Sequence, residues 1–258
     1  MSNPVFFVPP GSLDGLGPKS VATVSGAEGH HAATVKRLAS GEPVDLVDGQ
    51  GTRGRGRVQR AEGDVLAVVL DSVEREPRPP YRLVLVQALA KGDRDELAAE
   101  AATELGVDGI IPWQAERSIV RWKGDRAAKS LGKWRTVVGA AAKQSRRAWL
   151  PVVEEVHDGA ALAARMNRAA LAVVLHEDAE EPLGALLDAF SETAPDGDGE
   201  VLFVVGPEGG ISPAELDRFV VAGARLALLA PHVLRSSTAG PAALAIAGDR
   251  LGRWPARP

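Results

Sequence analysis

From Leu83 onward the chain repeats one pattern, a short apolar run followed by a stretch of helical periodicity. Leu83–Ala88 shows no polar residue before Gln87, and Gly109–Pro112, Ala170–Leu175, Val201–Val205 and Arg225–Leu229 read as the later strands. A strand that is apolar on both sides needs cover on both, as in a parallel sheet between helical layers. The intervening helices are marked locally. Asp93 and Glu96 form a D-x-x-E start for a helix that runs to Leu105, with Gly106 as its stop. Asp125 to about Ala148 places Leu131, Trp134, Val138 and Ala141 on one stripe. Pro213–Ala222 and Thr238–Leu251 complete the set, and Asp196–Glu200 reads as a loop. A parallel α/β sheet receives ligands beyond the carboxyl ends of its strands.

The first 74 residues read differently. Val5–Val8, Ser20–Val24, Pro43–Val47, and the pair Arg57–Gln59 and Val65–Leu70, joined around Gly63-Asp64, are short strands between Gly-rich turns. Ala27–Ala39 is the one helical candidate there. This is the pattern of a small β-barrel. Three prolines in Arg75–Pro80 mark a linker. The expected division is therefore 1–74, a linker at 75–81, and 82–258.

Composition narrows the function classes. The 258 residues contain no Cys, which excludes disulfides, thiolate metal sites and a Cys nucleophile, and suits a reducing cytoplasm. Five His, of which His30-His31 are adjacent without a partner at ligand spacing, give no reason to expect a metal site. No apolar run approaches the ~20 residues of a membrane span, and the N-terminus lacks the basic start of a signal peptide.

The net charge of −4 hides a strong asymmetry. Between Arg117 and Arg147 stand ten Lys/Arg against Asp125 alone, a local net of +9. Such an excess reads either as a solvated helix face or as a surface for a polyanion. Arg146 and Arg147 close the run, and Trp122, Trp134 and Trp149 interleave with it, with Trp134 the more core-like. Arginine forks suit phosphate, and aromatic rings stack on bases.

Two glycine motifs invite opposite readings. Gly49-Gln50-Gly51-Thr52-Arg53-Gly54 fits G-x-G-x-x-G, but Arg55-Gly56-Arg57 leads on into a strand where a dinucleotide site needs a helix. It is read as a turn whose Arg53, Arg55, Arg57 and Arg60 offer phosphate contacts. Gly206-Pro207-Glu208-Gly209-Gly210 instead leaves a buried strand and meets Ser212, Pro213 and Glu215, a complete capping box. It reads equally as a tight βα turn or as a loop that lets a ligand approach the backbone. Leu175-His176-Glu177 and Leu229–Ala239 are two further strand exits, and three such exits suffice to line one pocket.

The segments KGDRDELAAEAATELGV (91–107), ERSIVR (116–121), AAKQSRR (141–147), GPEGGISPAE (206–215) and HVLRSSTA (232–239) stand in the order found in one family. With them the chain resembles, over nearly its whole length, the ribosomal RNA small-subunit methyltransferase E family, a branch of the SPOUT class. HHAATVKR (30–37) and the β-rich start resemble that family's PUA-like RNA-binding domain. Two departures, Ala230 for Gly and Ser237 for Glu, fall in the third exit.

The resemblance implies an α/β SPOUT domain with a trefoil knot, S-adenosylmethionine as cofactor, a homodimer, and methylation of uridine N3 in 16S rRNA of the small ribosomal subunit. For the cofactor it implies Leu175, His176, Gly206, Gly209, Gly210, Leu229, Pro231, Val233, Leu234 and Thr238. For RNA the candidates are His31, Arg37, Arg53, Arg55, Arg117, Arg121, Arg146 and Arg147. N3 of uracil must lose a proton, so a base or a cation is needed. Arg235 and Arg147 are candidate cations, and Glu208 is placed to contact cofactor or base, or to cap a helix. The competing reading is a nonenzymatic rRNA-binding assembly factor, which would not bind the cofactor.

Overall fold

A computed structural model describes residues 3–193 and 199–254. The chain divides into two compact units, one holding the residues up to Arg78 with Ala142–Leu150, the other Pro79–Ala141 with the residues from Pro151 on.

The first unit is a five-stranded, mainly antiparallel sheet. Its strands are β1 (Val5–Phe7), β2 (Val21–Val24), β3 (Pro43–Val47), β4 (Thr52–Glu62) and β5 (Val65–Arg75), ordered β1-β3-β4-β5-β2. β4 and β5 are each 11 residues long, far longer than the alternation in Arg57–Gln59 and Val65–Leu70 suggests. The ladder continues through polar positions because Arg55, Arg57, Arg60 and Glu62 of β4 and Glu74 and Arg75 of β5 are exposed, and register shifts at Arg55/Gly56 and Val58/Arg60 absorb the twist. Phe6, Leu46, Leu66 and Leu70 fill its core. The expected helix 27–39 is shorter: α1 (Gly26–His30) passes into one π-helical turn, His31–Val35. The G-x-G-x-x-G segment opens no helix, since β4 begins at Thr52.

The second unit is built on a six-stranded parallel sheet. β6 (Arg82–Ala88), β7 (Gly109–Trp113), β8 (Val152–Val153), β9 (Leu171–Leu175), β10 (Glu200–Val205) and β11 (Arg225–Ala227) lie in the order β11-β9-β10-β6-β7-β8. Alternate residues of one strand serve opposite layers. Leu83 and Leu85 pack toward α2 (Arg94–Glu104), α3 (Asp125–Gln144), α5 (Leu183–Thr193) and α7 (Ser236–Arg250). Val84 and Val86 pack toward α4 (Gly159–Met166) and α6 (Pro213–Val221). The doubly covered sheet read from the apolar runs is thus present, while α4 and α5 are helices that the periodicity did not single out. Of the Asp196–Glu200 loop, residues 196–198 lie outside the described residues, and Glu200 begins β10.

The D-x-x-E signal at Asp93 is not used as a cap. Asp93 takes a left-handed backbone (φ 60°) and its side chain caps nothing. Its partner Glu96 is drawn instead to Lys133 Nζ, 2.7 Å away. The Ser212 box, by contrast, forms in full.

Candidate cofactor site

The three strand exits converge. β9 ends at Leu175, β10 at Val205, and the segment after β11 runs through Leu228–Arg235; together they line a cavity of about 470 Å³. That volume lies in the ~300–1,000 Å³ range of small-molecule and cofactor sites. Its walls are mainly backbone and aliphatic side chains, with a few polar groups converging on it.

The glycine loop makes the floor. Gly210 has φ +72°, a conformation that costs a side-chain-bearing residue, and a turn hydrogen bond from its N–H to Pro207 O closes the loop at 2.9 Å. At Gly206 a Cβ would sit 2.8 Å from Ile211 Cγ1. The helix after the loop is pinned from outside. Ser212 Oγ accepts the Glu215 N–H at 3.1 Å and donates to Glu116 Oε2 at 2.6 Å. Buried Glu215 in turn accepts the Glu116 N–H at 2.9 Å. Arg117 Nη1 donates to Gly209 O at 3.3 Å.

Two polar groups face the cavity with capacity to spare. Asp178 N–H donates to His176 Nδ1 at 3.2 Å, so the neutral ring carries its proton on Nε2. Ser236 Oγ, in the first turn of α7, is buried and has no hydrogen-bond partner among the described residues. At the rim, Arg94 Nη1 from the start of α2 pairs with Glu208 Oε1 at 2.9 Å.

Of the residues expected to hold the cofactor, Leu175, His176, Gly206, Gly210, Leu229, Pro231, Val233 and Leu234 line the cavity, as do Arg235 and Glu208. Gly209 and Thr238 do not: Gly209 turns toward Arg117, and Thr238 is exposed on α7. Arg147 is not among the lining residues. Glu208 caps no helix, since Ser212 and Glu215 do that work. Ala230 lines the cavity, whereas Ser237 does not. Arg94 is a lining residue outside the three exits singled out from the sequence, whereas Glu177 and Ser236 lie within those exits without having been named as cofactor-binding residues. Arg94 stands inside the KGDR segment, and that placement was the available signal.

The basic run is less free than its count. Lys133 pairs with Glu96, Arg135 with Glu155 at 3.1 Å, and Lys143 with Glu28 at 2.8 Å. Arg121 is exposed and donates to Glu116 O at 2.6 Å. Trp122 is buried, edge-on to buried Trp134 with centroids 5.5 Å apart, so neither ring stacks on a base. In the first unit, Arg53 is withdrawn from any phosphate contact. It is buried, paired with Asp45 at 3.0 Å and Glu76 at 2.6 Å, and donates to Arg146 O at 2.8 Å. Arg55 pairs with Glu74 at 2.7 Å. His31 is half-buried with its ring 6.2 Å from that of Phe6, and Arg37 is exposed. Among the described residues no cluster suits a metal ion, and no helix is long and apolar enough to cross a membrane.

Comparison with known proteins decides the family. Residues 77–248 match the family model described as an RNA methyltransferase domain, and residues 24–70 match an RNA methyltransferase PUA domain. A Mycobacterium bovis protein named ribosomal RNA small subunit methyltransferase E is 44% identical over 243 residues, covering 92% of this chain and 89% of the relative. The chain belongs to the ribosomal RNA small subunit methyltransferase E family. A Bacillus subtilis member is 31% identical over 84% of this chain and 85% of its own length. The crystal structure of the Neisseria gonorrhoeae member, bound to S-adenosyl methionine, is similar with a TM-score of 0.80 and 26% identity, over 96% of this chain and 98% of that one. The parallel sheet between helices is the SPOUT-type methyltransferase domain of this family, and the curled N-terminal sheet carries its PUA domain.

Proposed function

We propose that this chain uses S-adenosylmethionine to methylate N3 of a uridine in 16S rRNA of the small ribosomal subunit. The observation that carries the reading is the cavity at the ends of β9, β10 and β11 in a chain of this family. The residues present fit the cofactor. The glycine loop lets a ligand lie against backbone, His176 Nε2–H offers a donor, and the orphaned hydroxyl of Ser236 offers a hydrogen bond that the protein itself leaves unmade. Gly206, Gly210, Leu229, Pro231, Val233 and Leu234 would enclose it, with Leu175 and His176 at the β9 end. The cofactor, when bound, supplies a sulfonium methyl group for in-line transfer.

The chain's own contribution is chiefly position and charge. Uracil N3 becomes a nucleophile once its proton passes to solvent water, and the resulting anion is held by a cation at the cavity rim. Arg235 lines the cavity and serves that role, with Arg94 as a second rim cation; Glu208 holds Arg94 in place. Because Arg147 is not a lining residue, we assign it to RNA contact rather than chemistry.

In this reading residues 1–74 form the RNA-binding domain, 75–81 the linker and 82–258 the knotted catalytic domain of a cytoplasmic homodimer. Sedimentation tests the dimer: a fully active monomer at working concentration removes it. The reaction is tested by incubating the chain with tritiated S-adenosylmethionine and small subunits lacking rRNA modifications, then mapping the label. Label at N3 of one 16S uridine is expected; cofactor-independent RNA binding without label overturns the reading in favour of an assembly factor.

A further inference from the structure

Apart from Arg37, Arg147 and Arg57, which donates to Gly41 O at 3.1 Å, the arginines of the first unit fall into two classes. Arg53, Arg55 and Arg60 are spent on acids of the same unit, with Asp45 and Glu76, Glu74, and Glu62 as partners. Arg75, Arg78 and Arg146 are exposed, and among the described residues no acid pairs with any of them. Glu76, which stands between the first two in sequence, is occupied by Arg53 at 2.6 Å.

Two of these arginines, Arg75 and Arg78, are gathered at one residue. The Arg78 guanidinium lies 4.3 Å from the centroid of the Trp149 ring and that of Arg75 lies 5.7 Å from it. The ring itself is fixed: its Nε1–H donates to Glu76 O at 3.2 Å, and a Cβ on Gly51 would stand 2.3 Å from it. Arg146, three residues earlier, is tied to the same place because Arg53 grips both its carbonyl and Glu76.

We propose that Arg75 and Arg78, organised around Trp149, together with Arg146, whose backbone Arg53 holds beside them, form a phosphate-binding patch that receives the backbone of the RNA. A guanidinium stacked on an aromatic face uses its plane and keeps its in-plane N–H groups, the edge that forks onto phosphate. Stacking also fixes a long side chain before binding, which lowers the entropy lost on contact. Trp149 therefore orients arginine and does not stack on a base. The patch rests on the reading of rRNA as substrate, and it moves the phosphate contacts in the first unit from Arg53 and Arg55 to residues outside the glycine-rich turn.

The test is titration of transcribed 16S rRNA at several salt concentrations. Each phosphate contact contributes about −0.7 to the slope of log affinity against log salt for single strands. Arg75→Gln with Arg78→Gln is expected to flatten the slope by about 1.4 and to weaken binding, while cofactor affinity stays unchanged. Arg78→Lys keeps the charge but loses the planar fork, so it should retain the slope and lose a few-fold in affinity. Arg55→Gln should leave the slope as in the unaltered chain. An unchanged slope and affinity in the double variant overturns the patch, as does binding recovered only with acidic vesicles or an acidic protein. Labelling of small subunits by the unaltered chain is read separately: its failure overturns the methyltransferase reading, whereas success with an unmoved slope overturns the patch alone.

Discussion

Glu116 Oε2 accepts the hydroxyl of Ser212 at 2.6 Å, and through it the segment after β7 holds the N-terminus of α6. The same hydroxyl accepts the Glu215 N–H, so its one donor and one of its two acceptor sites are used. The glycine loop of the cofactor cavity ends at Ser212, so Glu116 fixes where the loop stops.

Glu116→Ala therefore removes a charge-assisted bond at the edge of the cavity without touching its lining. Such bonds contribute about 1.5–3 kcal/mol, and part of that loss falls on loop order. We expect cofactor affinity to fall about tenfold, with Glu116→Gln restoring most of it. Calorimetry checks this; an affinity unchanged in the Ala variant removes Glu116 from the support of the site.

Ser236 makes a prediction with two signs. Its hydroxyl is buried and unpartnered, so Ser236→Ala relieves a desolvation cost of about 1 kcal/mol in the free protein. The same change deletes the bond assigned to the cofactor. Thermal stability should hold or rise, while cofactor affinity falls about five- to tenfold. A fall in both, or in neither, contradicts the assignment.

What was legible in the chain divides by distance along it. The Ser212-Pro213-Glu215 box was readable because every partner lies within three residues. The D-x-x-E signal at Asp93 failed because Lys133, 37 residues beyond Glu96, competes for that carboxylate and the backbone at Asp93 turns left-handed. Arg53 reads as a surface cation until Asp45 and Glu76 come alongside it. The apolar runs gave the doubly covered sheet, since burial on both faces leaves a mark on composition itself. The cavity was half legible. Its glycines and strand exits carry a pattern, but Arg94 looks ordinary until α2 comes alongside, and that Ser236 rather than Ser237 or Thr238 lines the cavity emerges only from the fold.

His31 should make stability depend on mild acidity. Burial holds its pKa below the usual 6.5, and the nearby Lys143 charge adds to the effect, with Lys36 and His30 acting in the same direction and Glu28 opposing. The unfolded chain then binds the proton more readily than the fold does. Stability from this group is present above about pH 6.5 and is lost as pH falls through the folded pKa. His31→Gln should thus lose less melting temperature between about pH 7.5 and 5 than the unaltered chain. Equal losses would show that His31 does not carry the acid response.

Arg94 offers the sharpest separation of chemistry from structure. Its pair with Glu208 is partly exposed, with side-chain exposures of 46% and 30%, so it contributes at most about 1 kcal/mol to stability. Arg94→Ala should leave the melting temperature within a few degrees and cofactor affinity within a few-fold. If Arg94 helps hold the uracil anion at the rim, methyl transfer should still fall about tenfold or more. The rate should also reach its plateau at higher pH, because the deprotonated base is then stabilised less. Glu208→Gln, which leaves the guanidinium but frees it, should lower the rate less than Arg94→Ala and leave the plateau where it is. Single-turnover labelling of small subunits across pH reads both quantities. A rate loss with an unmoved profile would make Arg94 a positioning group for the loop through Glu208, and an unchanged rate would leave Arg235 as the rim cation.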